Sequence, residues 1–131
     1  MAGVMVVDAC ALIAHLDSND AHHARATRLL TELAGQPKIA SVLTRAEVLV
    51  VPARHGRRRA AEEILDRLRI QTAELPADAA GQLAELRAHT GLRMPDCCVL
   101  LTAELNGPAG LATFDERLAK AAENRGIKVS Q

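Results

Sequence analysis

Aromatic residues are almost missing from this chain: it has one Phe and no Tyr or Trp in 131 residues. The core must be built from Leu, Val, Ile and Ala, and the scarcity argues against a module that stacks bases on aromatic platforms. Net charge is missing too, with 16 Lys and Arg against 16 Asp and Glu. A general nucleic-acid binder carries a basic excess, so any contact with RNA or DNA must be local. Cysteine is scarce: Cys10, Cys97 and Cys98 form no CxxC pair and no Cys/His zinc spacing. They read as reduced core thiols, in keeping with a reducing cytosol. No GxGxxG follows a strand and no GxxxxGK precedes a Ser or Thr, which disfavours a nucleotide-binding fold. The first residues, MAGVMVVDACALIAHLD, lack a positive n-region, and Asp8 interrupts their apolar run. They read as neither an export leader nor a membrane span, so a cytoplasmic chain without a membrane partner is expected.

The remaining composition is that of an ordinary globular protein, 49% apolar and 24% charged. Its length suits a single domain, here residues 1–131, able to bury a real core. Short β-branched runs alternate with helical periodicity. Val4 to Asp8, Lys38 to Val42, Ile70 to Leu75, Gly110 to Phe114 and the terminal IKVSQ predict strands. ACALIAHL and HHARATRLLTELA predict helices, the second closed by Gly35. Thr44, with Glu47 three residues later, has the capping-box pattern and predicts the start of a helix that Pro52 disturbs. Further helices are expected over Arg57 to Arg69, after Pro76 as far as Gly91, from Pro95 to near Gly107, and from Asp115 to Gly126. Alternating strands and helices imply a three-layer α/β/α fold with a mainly parallel sheet of about five strands.

That topology gives the acids a meaning. Asp8 ends the first strand and Asp115 follows the GLATF strand, while Glu47 and Asp96 are expected in first helical turns. In a parallel sheet, strand ends and the starts of following helices share one edge, where ligands bind. Taken singly, an acid in a first turn also answers the helix dipole. Gathered together, the four would repel one another, and a divalent cation relieves that conflict. Hard oxygen donors suit Mg²⁺ or Mn²⁺, which can activate water and stabilise charge on a phosphodiester.

Four segments in order then resemble the PIN-domain ribonucleases, specifically VapC-type toxins of bacterial toxin–antitoxin systems: VVDACALIAHLD, TRAEV, MPDCCVLLTAEL and LATFDERL. The resemblance spans nearly the whole chain and implies a PIN-like fold. It implies that Asp8, Glu47, Asp96 and Asp115 form the catalytic, metal-binding set, holding Mg²⁺ or Mn²⁺ for hydrolysis of RNA. Thr113 matches the family's T-x-D threonine and is expected, with Thr44 and Cys10, behind the acids or against substrate. A cognate antitoxin and a homodimer are the partners the resemblance implies. The chain departs from the pattern at Cys10, where the family often has a hydroxyl residue, and at Glu116, Arg117 and Leu118, where it often has a further Asp and an aromatic.

Two other readings stand beside the nuclease. One is a non-catalytic PIN-like RNA- or protein-binding module with an impaired metal site. The other is a phosphoryl-transfer enzyme with Asp8 as nucleophile, which the missing second Asp in Asp8-Ala9-Cys10 disfavours. The basic stretch RHGRRR supplies Arg54, Arg57, Arg58 and Arg59. Positive charge at a helix start is mildly unfavourable, so RNA or partner contact stands there against a solvated turn. His22 and His23 are adjacent and point apart, which reads as surface or capping, and His15 and His55 read as solvated surface.

Overall fold

The structure is a computed structural model that describes residues 3–107 and 109–131. The first two residues of the N-terminal segment read above, and Pro108, lie outside the described residues. In chain order come β1 (Met5–Val7), α1 (Ala9–Leu16), α2 (His23–Glu32), β2 (Lys38–Ser41), α3 (Val42–Arg54), α4 (Arg58–Arg67) and β3 (Ile70–Ala73). They are followed by α5 (Ala79–Thr90), α6 (Met94–Leu105), β4 (Gly110–Ala112), α7 (Glu116–Asn124) and β5 (Val129–Ser130).

The five strands form one sheet in the order β3-β2-β1-β4-β5, and every pairing is parallel. Parallel neighbours need crossover connections, and the helices that provide them cover both faces. The β-branched and aliphatic residues of β1 and β4 are buried throughout, as a strand covered on both sides requires. One apolar cluster gathers α5, α6 and α7 around Val6, Ile39 and Leu111. The other packs α1, α2, α3 and α4 on Val7, Ala40 and Ile70. Apart from Phe114 at its margin, this core is aliphatic, as the composition dictates.

Strand order 3-2-1-4-5 reverses direction of growth at β1, so β1 and β4 form the central switch point. Asp8 follows β1 there. At the other side of that point, Gly91 ends α5 in the left-handed conformation, φ 70°, and turns the chain sharply into α6, which carries Asp96.

Several local expectations need correction. Val42 begins a helix instead of ending β2, because Ser41 caps α3: its Oγ accepts the Thr44 N–H at 3.1 Å. Thr44 therefore lies inside the first turn and Glu47 in the second, so the T-x-x-E pattern is not the cap. Pro52 sits inside α3, near its C-terminal end, where a missing N–H costs one bond before the helix stops at Arg54. The α2 helix closes at Leu33, whose N–H bonds the Leu29 carbonyl, before Gly35 is reached. His15 is not solvated surface: it is half-buried, stacks on His23 and bonds Thr27 at 3.0 Å.

Candidate active site at the sheet's carboxyl edge

Asp8 is the first residue beyond β1, in an extended conformation that aims its carboxylate over the sheet edge. It is the N-cap of α1: Oδ1 accepts the Ala9 N–H at 2.8 Å. Oδ2 accepts the Thr113 hydroxyl at 2.8 Å and the Cys10 thiol at 3.1 Å. Asp8 is thereby fixed from two strands, because Thr113 directly follows β4 and is fully buried. The Thr113 hydroxyl in turn accepts the Asp115 N–H at 3.0 Å. Asp115 caps α7, with Oδ1 accepting the N–H groups of Arg117 and Leu118.

Cys10 is not a core thiol, unlike Cys97 and Cys98, which are buried in α6. Its Sγ accepts the Phe114 N–H at 3.3 Å while its S–H faces Asp8. Burial, followed by the Asp8 charge, pushes the Cys10 pKa up to about 11, so it stays a neutral donor. The thiol thus does here what a hydroxyl at this place would do, bridging the turn after β1 to the turn after β4.

Asp96 lies in the first turn of α6 and is only 8% exposed. Burial, then Asp8 and Asp115, hold its pKa above the ordinary 3.8, against the opposing pull of Arg93 and Arg117. Glu47 is half-buried on α3, and burial, then Asp8 and Asp96, raise it above the ordinary 4.5. These mutual influences bring the four predicted acids into one electrostatic neighbourhood. The counter-charges are Arg93, whose Nε stands 3.9 Å from Asp96 Oδ2 while its side chain is 76% exposed, and Arg117. Arg93 was not singled out from sequence, and Arg117 only as a departure from the family pattern; the pairs Arg93 with Asp96 and Asp115 with Arg117 are the local signal for their role.

The donor chemistry fits a hard divalent cation: clustered carboxylates at the edge of a buried sheet, with little cationic compensation. Yet among the described residues no three His, Cys, Asp or Glu side chains are close enough to form a finished ion cage. The set suits an ion that keeps part of its water shell, as Mg²⁺ commonly does.

The other expected residues fall away from the acids to different degrees. Thr44 is buried and accepts the Ser41 hydroxyl at 3.2 Å, which makes it part of the α3 cap. Arg54, Arg57, Arg58 and Arg59 are exposed in and around the turn from α3 to α4, and Arg58 pairs with Glu62 at 2.7 Å. Arg57 lines a groove of about 530 Å³ that also includes Glu47, Ile13, Val51 and Ile64, so the basic turn opens toward one of the acids. No helix among the described residues is long and apolar enough to cross a membrane.

A parallel five-stranded sheet covered by helices, with Asp8 and Asp115 directly beyond its central strands, defines the class: an α/β domain with acidic residues at the carboxyl edge of its sheet. The family follows from its model: that of the PIN domain matches residues 5–124, and the chain belongs to the PIN domain family. No curated protein matches it. Among solved structures it is similar to Mycobacterium tuberculosis VapC20, a sarcin–ricin loop cleaving toxin, with 22% identity and a TM-score of 0.71 over 89% of this chain and 94% of that one. A toxin–antitoxin complex from Klebsiella pneumoniae gives 24% identity and a TM-score of 0.69, covering 97% of this chain and 96% of its own. FitAcB from Neisseria gonorrhoeae gives 20% and 0.68, with coverage of 97% and 96%. At these identities the likeness is one of fold, and the fold is that of VapC-type toxins.

Proposed function

We propose that this PIN-domain protein is a Mg²⁺- or Mn²⁺-dependent endoribonuclease toxin that hydrolyses RNA phosphodiester bonds and is neutralised by a cognate antitoxin. The observation that carries the reading is the placing of Asp8 and Asp115 just beyond the central strands, with Asp8 and its neighbours close enough to help raise the pKa values of Glu47 and Asp96. Asp8, Asp96 and Glu47 would hold the ion, with Asp115 completing the set. Bound there, a divalent cation supplies charge stabilisation for a phosphodiester under in-line attack and lowers the pKa of water. The protein's own part is positional. Thr113 and Cys10 keep Asp8 in one orientation, and Arg93 and Arg117 offset part of the charge of the acids. The apolar floor beneath Asp8 and Asp96 lowers the local dielectric and strengthens every charge interaction at the edge.

The structures of similar fold described as toxin–antitoxin complexes support an antitoxin partner for this chain. A homodimer acting in the cytoplasm completes the proposal. The test is cleavage of total cellular RNA by purified protein with Mg²⁺, with Mn²⁺ and with chelator. Fragments are expected with either metal, none with chelator and none from Asp8→Ala. RNA cut at the wild-type rate by Asp8→Ala would contradict the assignment.

One observation favours a second reading, a non-catalytic PIN-like binding module with an impaired metal site. Both oxygens of Asp8 are already engaged by protein donors, and no three-ligand cluster is preformed among the described residues. A protein that binds RNA or a protein partner but is not thermally stabilised by millimolar Mg²⁺ or Mn²⁺ would establish this reading.

A further inference from the structure

We propose that Arg25, held on the ring of Phe114, is a phosphate contact that seats the RNA strand beside the acidic edge. The inference rests on the nuclease reading and names a substrate-positioning residue within it.

Phe114 is the chain's single aromatic residue, and its place is unusual. It stands between Thr113, whose hydroxyl fixes Asp8, and Asp115, which caps α7. Its own N–H is held by the Cys10 sulfur. The ring is only partly buried. The Arg25 guanidinium, reaching from the first turn of α2, lies over it with Cζ 4.5 Å from the centroid. The exposed His22 ring stands 5.4 Å from the same centroid, tilted by 36°.

Arg25 is half-buried, yet among the described residues it makes no ion pair and no side-chain hydrogen bond. It is not one of the cations that offset the acids; Arg93 and Arg117 do that. A guanidinium on an aromatic face is held by the ring's quadrupole while its N–H edge stays free. That edge is suited to the paired oxygens of a phosphate. The need is also clear. A cluster of carboxylates repels a polyanion, so an RNA strand brought to this edge requires a fixed positive charge at its flank. The turn after β4 supplies both the carboxylate and the ring that holds the cation, so the two move as one unit. Base stacking is not required, in keeping with the scarcity of aromatics.

The test follows binding of a labelled single-stranded RNA oligonucleotide to the Asp8→Asn protein by fluorescence anisotropy. It uses a KCl series without divalent metal. Cleavage of the same oligonucleotide by the protein with Asp8 intact, in Mg²⁺ and in Mn²⁺, is followed in parallel. Adding Arg25→Ala is expected to weaken binding about tenfold and to lower the salt slope by about 0.7, the loss of one phosphate contact on a single strand. Arg25→Lys should keep the slope. Phe114→Leu should also keep it, since the charge remains, while weakening binding about threefold through loss of the ring contact. Arg67→Ala, at the C-terminal end of α4 just before β3 begins, should change neither. The proposal is overturned by parental affinity and slope in Arg25→Ala, by an equal loss in Arg67→Ala, or by no RNA binding in the parent. If Asp8-containing protein cleaves RNA and Arg25→Ala changes nothing, the phosphate contact is wrong and the nuclease reading stands. If that protein does not cleave while Arg25→Ala still lowers the slope, the nuclease reading is wrong and the phosphate contact stands.

Discussion

Lys38 begins β2 at the amino end of the sheet and is 2% exposed, its ammonium donating to the Leu33 carbonyl at 3.0 Å and the Gln36 carbonyl at 3.1 Å. Asp8, just past the carboxyl end of the adjacent β1, is 6% exposed, and its charge helps raise the pKa values of Glu47 and Asp96. Both are buried charges, and both are satisfied by hydrogen bonds, but they differ in company. Lys38 stands with backbone dipoles that close the loop between α2 and β2, an arrangement complete in itself. Asp8 stands with charges of its own sign, an arrangement that folding alone gives no reason to build. The contrast separates a charge kept for architecture from a set kept for chemistry, and substitution at each end should break activity and stability in opposite ways.

The largest effect is expected at the acidic end. Asp8→Asn should lower RNA cleavage by at least about a thousandfold, roughly 4 kcal/mol in activation free energy, with the fold retained by circular dichroism. At the other end, Lys38→Met should leave cleavage unchanged at permissive temperature but lower stability in urea by about 1–3 kcal/mol, because two carbonyls lose their donor in a buried place. Equal losses of activity from both variants would erase the distinction.

The pH dependence sharpens it. Glu47 and Asp96 have folded-state pKa values held above 4.5 and 3.8 by burial and by their acidic neighbours. The native state then binds more protons than the unfolded state between the ordinary and the raised values. Their contribution therefore makes stability fall as pH rises through that window, and the penalty is full above it. Metal-free Glu47→Gln should lose less stability than wild type as pH rises from about 4 to 7, followed by thermal melting. A wild-type profile parallel to that of the variant would contradict the repulsion. The smallest effect is expected at Cys10. Cys10→Ser keeps a donor to Asp8 and an acceptor for Phe114 and should retain cleavage within about tenfold, whereas Cys10→Ala should fall further because Asp8 loses one of its fixed partners.

The parallel sheet was readable because its strands are short β-branched or aliphatic runs, separated by helical periodicity. The acids at its edge were readable for the same reason, since knowing where a strand ends says which side a following Asp faces. What escaped were features decided by competition or by distance along the chain. Ser41 and Thr44 both carry hydroxyls suited to a cap, and the spacing of Thr44 to Glu47 favoured the wrong one. The chain leaves the sheet one residue earlier than the apolar run suggests, and Ser41 captures the first turn. Cys10 looked like core because its sequence neighbours are apolar; its role depends on Thr113 and Phe114, which only the fold brings near. The meeting of Arg25 with Phe114 was hidden in the same way.

The central claim is that carboxylates placed in mutual conflict by the fold are reconciled by a divalent cation. Thermal melting of metal-free protein titrated with Mg²⁺, for wild type and for Asp96→Asn, tests it most directly. The account predicts that wild type melts at progressively higher temperature as Mg²⁺ is added. It predicts that Asp96→Asn starts higher than wild type without metal and gains little with it. A wild-type melting temperature indifferent to millimolar Mg²⁺ and Mn²⁺ would contradict it.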